Sequence, residues 1–154
     1  MLQKCRKMLR NEKGLTLIEL LAVVVILGII AAIAVPSIGK IIDNSKKDAH
    51  LANAQQMVSA GKLAIVNNAD IIDEDTNQIT LGALQGAGLI ESNIKHPHGD
   101  AYDIDNSYVV VSGTTVTGVL LLSKDTAHGV YSGSAGSETV VSVTSLSRSS
   151  VKPE

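Results

Sequence analysis

Residues 13–40 read KGLTLIELLAVVVILGIIAAIAVPSIGK, and they contain one acidic side chain, Glu19, directly before an apolar run from Leu20 to Val35. A carboxylate in hydrocarbon costs up to about 2.5 to 3.5 kcal/mol at the centre of a membrane span and less near its end. Ionisable groups inside a membrane usually have a partner and a role. The sequence therefore predicts a partner for Glu19.

The segment around Glu19 is long enough to cross a bilayer. As a helix, Leu15 to Val35 would span about 31 Å, roughly the thickness of the hydrocarbon core. A secretory signal peptide has a shorter apolar core, of 7 to 15 residues. By hydropathy alone, the segment can also be an ordinary signal anchor that holds a globular domain at the cell surface.

The charge of the chain is uneven. Residues 1–14 carry a net charge of +4 and the remainder carries −6. Basic residues before the span and few after it favour a cytoplasmic N-terminus and an external body. An acidic body is a poor ligand for nucleic acid, because phosphate binding needs clustered Lys and Arg. We therefore expect no direct nucleic-acid binding.

Residues 13–19 (KGLTLIE) resemble the cleavage and assembly signature of type IV prepilins and related pseudopilins. In that signature a basic leader ends in glycine and glutamate is the fifth residue after the cut, as Gly14 and Glu19 are here. The first residue after the cut is commonly phenylalanine in the family, whereas this chain has Leu15. The resemblance is close over residues 1 to about 40.

The resemblance implies how the chain is processed. A prepilin peptidase in the membrane would cut between Gly14 and Leu15 and methylate the new amine of Leu15, and the apolar helix would stay on the mature protein. Glycine suits such a cut because a residue without a Cβ atom lets a protease approach the backbone closely. From the residues alone, Gly14 can also be a flexible joint before a helix.

Three explanations of Glu19 are open. In the first, Glu19 pairs with the cationic amine that cleavage creates on Leu15 of the same chain, which lies four residues away on the same helix face. In the family, this carboxylate is thought to meet the amine of a neighbouring subunit, so the resemblance implies an assembly role for Glu19. Alternatively, the acid complements the helix macrodipole, which is worth about 0.3 to 1 kcal/mol.

The helix is predicted to continue beyond the membrane as an amphipathic half. Its apolar positions recur at intervals of three and four residues, at Leu51, Ala54, Val58, Gly61 and Ile65. Pro36 interrupts the run, together with Gly28 and Gly39. Because proline removes a helical hydrogen bond and crowds the preceding turn, a kink is predicted there.

The rest of the chain is predicted to form a small antiparallel sheet. Runs of β-branched and apolar residues predict strands over 108–112, 116–123 and 138–146, and Thr80 can cap a short helix that ends at Leu84. The sheet needs a helix to cover it. The fold class is therefore α+β, with a long N-terminal helix packed on the sheet, as the resemblance to pilins implies.

Four segments follow from this interpretation. We expect a basic leader that is removed (1–14), a transmembrane and assembly helix (15–39), a globular domain that includes the amphipathic half of the helix (40–146), and a polar tail (147–154).

A second resemblance lies in residues 96–102, HPHGDAY. They look like a modified form of the Asp-Pro-Trp-Gly-Asn-Pro-Tyr segment that precedes the sheet in major pseudopilins and many pilins of Gram-positive bacteria. Pro97, Gly99 and Tyr102 match that segment. Its local chemistry predicts a Pro-x-Gly turn before a strand.

We expect no metal or other cofactor, with calcium as the one alternative. His96 and His98 suggest a metal, but two histidines in a turn without a third ligand at a fixed spacing are more often surface residues. Asp100, Asp103 and Asp105 are calcium candidates, because some pseudopilins hold calcium.

Two classes of function are open. One is a structural subunit that polymerises through its N-terminal helix, in a type IV pilus-like filament or as a pseudopilin of a type II secretion or competence (DNA-uptake) system. The other is a membrane-anchored hydrolase or ligand-binding domain. The histidines are scattered and no Gly-x-Ser-x-Gly motif is present, so we expect no enzyme. The structural subunit is preferred, with the pilus ahead of the pseudopilus.

The resemblance also implies partners and a location. The partners are further copies of the chain, related minor pilins, the prepilin peptidase and the membrane platform protein of the assembly machine. The precursor would cross the cytoplasmic membrane once, and the mature subunit would enter an extracellular or envelope-spanning filament.

Overall fold

The computed structural model describes residues 16–67, 70–99, 101–124, 128–134 and 136–152. The chain divides into two compact units, one ending at Ile41 and the other beginning at Ile42. Among the described residues, the first unit consists of Thr16 and the helix that follows it. The second unit contains the rest of that helix and the strands.

Helix α1 runs from Leu17 to Val66 and includes Pro36. In the first unit its large apolar side chains are exposed, from 46 % at Val23 to 87 % at Leu17. An 18-residue window has a mean hydropathy of 3.0, so the helix is long and apolar enough to cross a membrane. The helix is continuous through Pro36, and the kink predicted at Pro36, Gly28 and Gly39 stays a prediction.

The second unit contains an antiparallel sheet of short strands. Their bounds are β1 Gln78–Thr80, β2 Tyr108–Ser112, β3 Thr115–Leu122, β4 Gly129–Val130, β5 Ser132–Ser134, β6 Ser137–Thr139, β7 Val141–Ser142 and β8 Val151–Lys152. The main sheet has the order β1-β2-β3-β4-β8, and β7 also pairs with β3. Strands β5 and β6 form a separate two-stranded ribbon.

A short helix, α2, runs from Leu81 to Gly86 after β1. Thr80 caps it, since its hydroxyl oxygen accepts a hydrogen bond from the backbone N–H of Ala83 at 3.2 Å. The predicted cap at Thr80 is confirmed, and the helix continues two residues beyond the predicted end at Leu84.

The core lies between the sheet and the C-terminal part of α1. The helix contributes small and medium side chains, with Ala54, Met57 and Ala64 fully buried. At Gly61, an added Cβ atom would lie only 2.9 Å from Cγ2 of Val109 in β2. Glycine therefore lets the helix approach the sheet closely at this point. The predicted α+β fold, a long helix packed on an antiparallel sheet, is confirmed.

Two of the predicted strands are confirmed, and the third is wrong as a single strand. β2 has the predicted bounds, and β3 begins and ends one residue earlier than predicted. The predicted strand over 138–146 is divided among β6, β7 and a 3-10 turn at Val143–Ser145. The chain changes its partner between Thr139, which pairs with β5, and Val141, which pairs with β3.

The end of the chain also differs from the predicted polar tail. After a 3-10 turn at Arg148–Ser150, strand β8 pairs with β4 and buries Val151 in the core. Arg148 forms a two-point ion pair with Asp48 of α1, with Nε–Oδ1 and Nη2–Oδ2 distances of 2.5 and 2.6 Å. Residues up to 152 therefore belong to the second unit, which we call the body, because the buried side chain of Val151 and the ion pair of Arg148 attach them to it.

Candidate functional site

The start of α1 is built around Thr16 and Glu19. The backbone N–H and the hydroxyl of Thr16 each donate to Oε2 of Glu19 at 2.8 Å, and the backbone N–H of Glu19 lies 3.3 Å from the Thr16 hydroxyl oxygen. This reciprocal pattern is a capping box, which satisfies N–H groups that the first turn of a helix leaves without partners. Glu19 thus has a local partner, Thr16, in addition to those expected from the sequence.

The capping box leaves acceptor capacity on the carboxylate. Both hydrogen bonds that Thr16 donates go to one oxygen, Oε2, whereas an ionised carboxylate offers two oxygens with about four acceptor positions. Capping is therefore compatible with a further cationic partner for Glu19.

The surface that follows Glu19 is almost entirely apolar. Leu20, Leu21 and Val24 are each more than half exposed. An apolar surface of this extent on a protein marks contact with lipid or with another protein. Gly28 and Gly39 lie beside open space on this surface, since an added Cβ atom at either position would meet nothing within 4 Å.

Three of the predicted site residues, Gly14, Leu15 and Asp100, lie outside the described residues. Their predicted roles in cleavage, methylation and calcium binding stay predictions.

Asp103, a calcium candidate, is engaged within its own loop. Its Oδ1 accepts from the backbone N–H groups of Asp105 and Asn106, and its Oδ2 accepts from the side-chain amide of Asn106 at 2.8 Å. These hydrogen bonds, that of the Asn106 side chain above all, lower the pKa of Asp103. The loop geometry explains the carboxylate without an ion, and calcium binding stays a prediction.

A second cluster of chemically active side chains lies in the body, around His50. His50 is 1 % exposed and projects from α1, and its Nδ1 lies 2.9 Å from the hydroxyl oxygen of Tyr102. Asn53, one turn further along α1, donates from Nδ2 to the same oxygen at 2.9 Å. Burial, followed by the neighbouring histidines, lowers the pKa of His50 to about 3, and burial raises the pKa of Tyr102 to about 12. Both groups are therefore neutral near pH 7.

The remaining histidines surround His50. Nδ1 of His98 lies 3.3 Å from Nε2 of His50, and the ring of His96 meets that of His50 edge to face at a centroid distance of 4.7 Å. His128 stacks on His98 at 4.0 Å. All four histidines of the chain thus gather in one place.

The turn at 96–99 places two of these rings. Gly99 donates its backbone N–H to the carbonyl of His96 at 3.0 Å and has a φ of +91°, which glycine adopts without strain. The backbone N–H of His98 lies 3.2 Å from Nδ1 of His96. The predicted Pro-x-Gly turn therefore exists, but the interpretation of both histidines as surface residues is wrong for His96, which is 5 % exposed.

Sequence reasoning missed this cluster because His50 and His128 have no fixed spacing from the turn. The signal available was the amphipathic helix: His50 lies four residues before Ala54, on the face that the apolar periodicity assigns to the core. A histidine at a core position needs a polar partner, and that requirement points towards a second polar group nearby.

Comparison with known proteins gives matches to the N-terminal region and to most of the chain. Residues 9–35 match the model of the prokaryotic N-terminal methylation motif. The chain is 31 % identical over 99 residues to the ComG operon protein 3 homolog of Bacillus licheniformis. The aligned region covers 62 % of this chain and 93 % of that protein.

The chain is also similar to a fimbrial protein of Pseudomonas aeruginosa, with 24 % identity over 131 residues, 80 % of this chain and 85 % of that protein. No solved structure matches the chain.

Proposed function

Because the chain belongs to the family of type IV prepilins and pseudopilins, we propose that it is a structural subunit of a type IV pilus-like filament, processed by a prepilin peptidase and polymerised through its N-terminal helix. The observation that carries the proposal is the exposed apolar helix whose first turn holds Glu19, directly after the Gly14–Leu15 junction. The similarity to a fimbrial protein over 80 % of the chain supports a filament subunit.

The proposed course begins in the cytoplasmic membrane. The precursor crosses it once, with the basic residues 1–14 on the cytoplasmic side, as the excess of Lys and Arg there favours. The peptidase cuts between Gly14 and Leu15 and methylates Leu15. A platform protein of the assembly machine then moves the subunit out of the bilayer, where it joins further copies of this chain and minor pilins.

In the filament, the apolar helices of neighbouring subunits replace lipid around one another. We propose that Glu19 of an entering subunit meets the amine of Leu15 on a neighbour. A buried carboxylate with a cationic partner is tolerated, whereas one without a partner is strongly destabilising. The pair therefore rewards correct docking and penalises a shifted register.

Fibre yield from cells that make a Glu19→Val variant alone tests this role. Valine costs less than glutamate in a bilayer, so insertion and cleavage should persist while assembly fails. The matched control is Thr16→Ala, which removes the capping hydroxyl but keeps the carboxylate. If Glu19 serves only as a helix cap, the two variants should have similar yields. Normal fibres from a cleaved Glu19→Val subunit would contradict the docking role.

A second candidate is a pseudopilin of a competence or type II secretion system. The observation that favours it is the similarity to the ComG operon protein 3 homolog, which extends over 93 % of that protein. Electron microscopy of sheared surface material separates the two: long, abundant fibres made of this chain support a pilus, and short structures confined to the envelope support a pseudopilus.

A further inference from the structure

The four histidines converge from three separate parts of the chain. His50 comes from α1, His96 and His98 from the turn before β2, and His128 from the residue before β4. Ligand nitrogens of the first three lie within 4.8 Å of one another. We propose that His50, His96 and His98 bind a divalent transition-metal ion of the zinc class.

The distances are close to those that such an ion needs. Zinc–nitrogen bonds of 2.0–2.1 Å in a tetrahedral site place the ligand nitrogens about 3.3 to 3.4 Å apart. Nε2 of His50 and Nδ1 of His98 are already 3.3 Å apart. The nitrogen of His96 has to move in by no more than about 1.5 Å to complete this set.

The surroundings of His50 orient it as a ligand. Metal-bound histidines usually donate their second ring N–H to a neighbouring oxygen. Here Nδ1 of His50 faces the hydroxyl oxygen of Tyr102, which can accept this N–H together with the amide of Asn53. Nε2 is then left as the donor atom towards the ion.

One side of the cluster opens to a cavity of about 170 Å³ that His50, His98 and His128 line. Lys46, Lys47 and Lys152 also border this cavity, together with Asp43. Three histidines leave the fourth position of a tetrahedral ion open, and the cavity gives a small ligand access to it. The lysines favour an anionic ligand there, such as hydroxide or a carboxylate.

The competing explanation is that the rings only fill space. The chain has no Phe or Trp, so the histidines and Tyr102 supply the bulky aromatic groups of this part of the body. Packing alone does not require the ring nitrogens of these histidines to be able to bind an ion. The two explanations therefore differ in whether the purified protein takes up a metal.

The experiment uses the full chain, purified in detergent and stripped with a chelator. It is titrated with Zn²⁺ against a competing chelating dye and, separately, with Co²⁺ followed by visible absorption. We expect one Zn²⁺ per chain, a rise in melting temperature on binding, and the intense visible bands of tetrahedral Co²⁺. Absence of saturable binding, or only the weak spectrum of octahedral Co²⁺, would overturn the proposal.

Variants locate the site. His98→Gln replaces a half-buried ligand, so it should fold, and it should weaken Zn²⁺ binding at least about 100-fold, the upper end of what loss of an outer-shell partner costs. Glu91→Gln, at an exposed carboxylate that belongs neither to the cluster nor to the lining of its cavity, is the control and should bind as the wild type does. His50→Gln is the stronger test where it folds. Wild-type affinity in His98→Gln would place the metal elsewhere and refute the assignment.

Discussion

The hydroxyl oxygen of Tyr102 lies 2.9 Å from Nδ1 of His50, which precedes it by 52 residues. Both side chains are buried, at 4 and 1 % exposure. The contact ties the segment between the 96–99 turn and β2 to helix α1. It also gives the buried imidazole a hydrogen-bond partner, and without one its burial would cost free energy.

Tyr102→Phe should destabilise the body in the absence of metal. The change keeps the ring but removes the oxygen that faces His50 and Asn53, so the free energy of unfolding should fall by about 1 to 3 kcal/mol. Denaturant unfolding with a chelator present measures it. The matched control is Tyr108→Phe, at a half-buried ring in β2, which should change stability by less than about 0.5 kcal/mol. Equal effects of the two changes would contradict a specific role for the Tyr102 hydroxyl.

Gly61→Val should open the contact between α1 and the sheet. A side chain at Gly61 would meet Val109 and Val116, at 2.9 and 3.2 Å from the Cβ atom alone. Overpacking of this kind costs about 1 to 3 kcal/mol. Gly86→Val, where nothing lies within 4 Å of the new Cβ atom, is the control and should stay within about 0.5 kcal/mol of the wild type. Thermal unfolding of the two variants side by side gives the comparison.

A fragment of residues 40–154 should be soluble and should unfold cooperatively. The second compact unit begins at Ile42 and holds a contiguous core from α1, β1 to β4, β7 and β8. The exposed apolar side chains of the first unit are absent from it, apart from the few near Ile41. A calorimetric scan checks the prediction. A broad, non-cooperative melt would mean that contacts between subunits, rather than this core, maintain the fold.

Gly14→Val should stop processing and leave the precursor in the membrane. The added branched side chain hinders approach of a protease to the backbone at the cut. Intact-mass measurement of membrane and sheared fractions should find residues 1–14 on the variant. The wild-type subunit in fibres should begin at methylated Leu15. Assembled wild-type protein that still carries the leader would refute the proposed cleavage.

Periodicity was sufficient to predict the main architecture. Ala54, Val58 and Gly61 were assigned to one face of the helix by their spacing, and all three are buried. Strand β2 follows from a dense run of valines between Tyr108 and Ser112, which favours extended backbone wherever it lies.

The partner of a strand was harder to predict than its existence. The run from Glu138 to Leu146 has strand propensity throughout, but propensity does not specify which neighbour offers hydrogen bonds. The chain pairs first with β5 and then with β3, and the change of partner breaks the run. The histidine cluster escaped prediction for a related reason, since it depends on three segments that meet only after folding.

The two ends of the main sheet, β1 and β8, are three and two residues long. The edge of a sheet exposes N–H and C=O groups that can recruit a strand from another molecule, and proteins limit this hazard with short edges and with lysine. Lys152 lies in one of these edge strands. We therefore expect that the bodies, although side by side in a filament, do not join their sheets into an amyloid-like one. Contacts between the helices would then determine how the subunits are arranged.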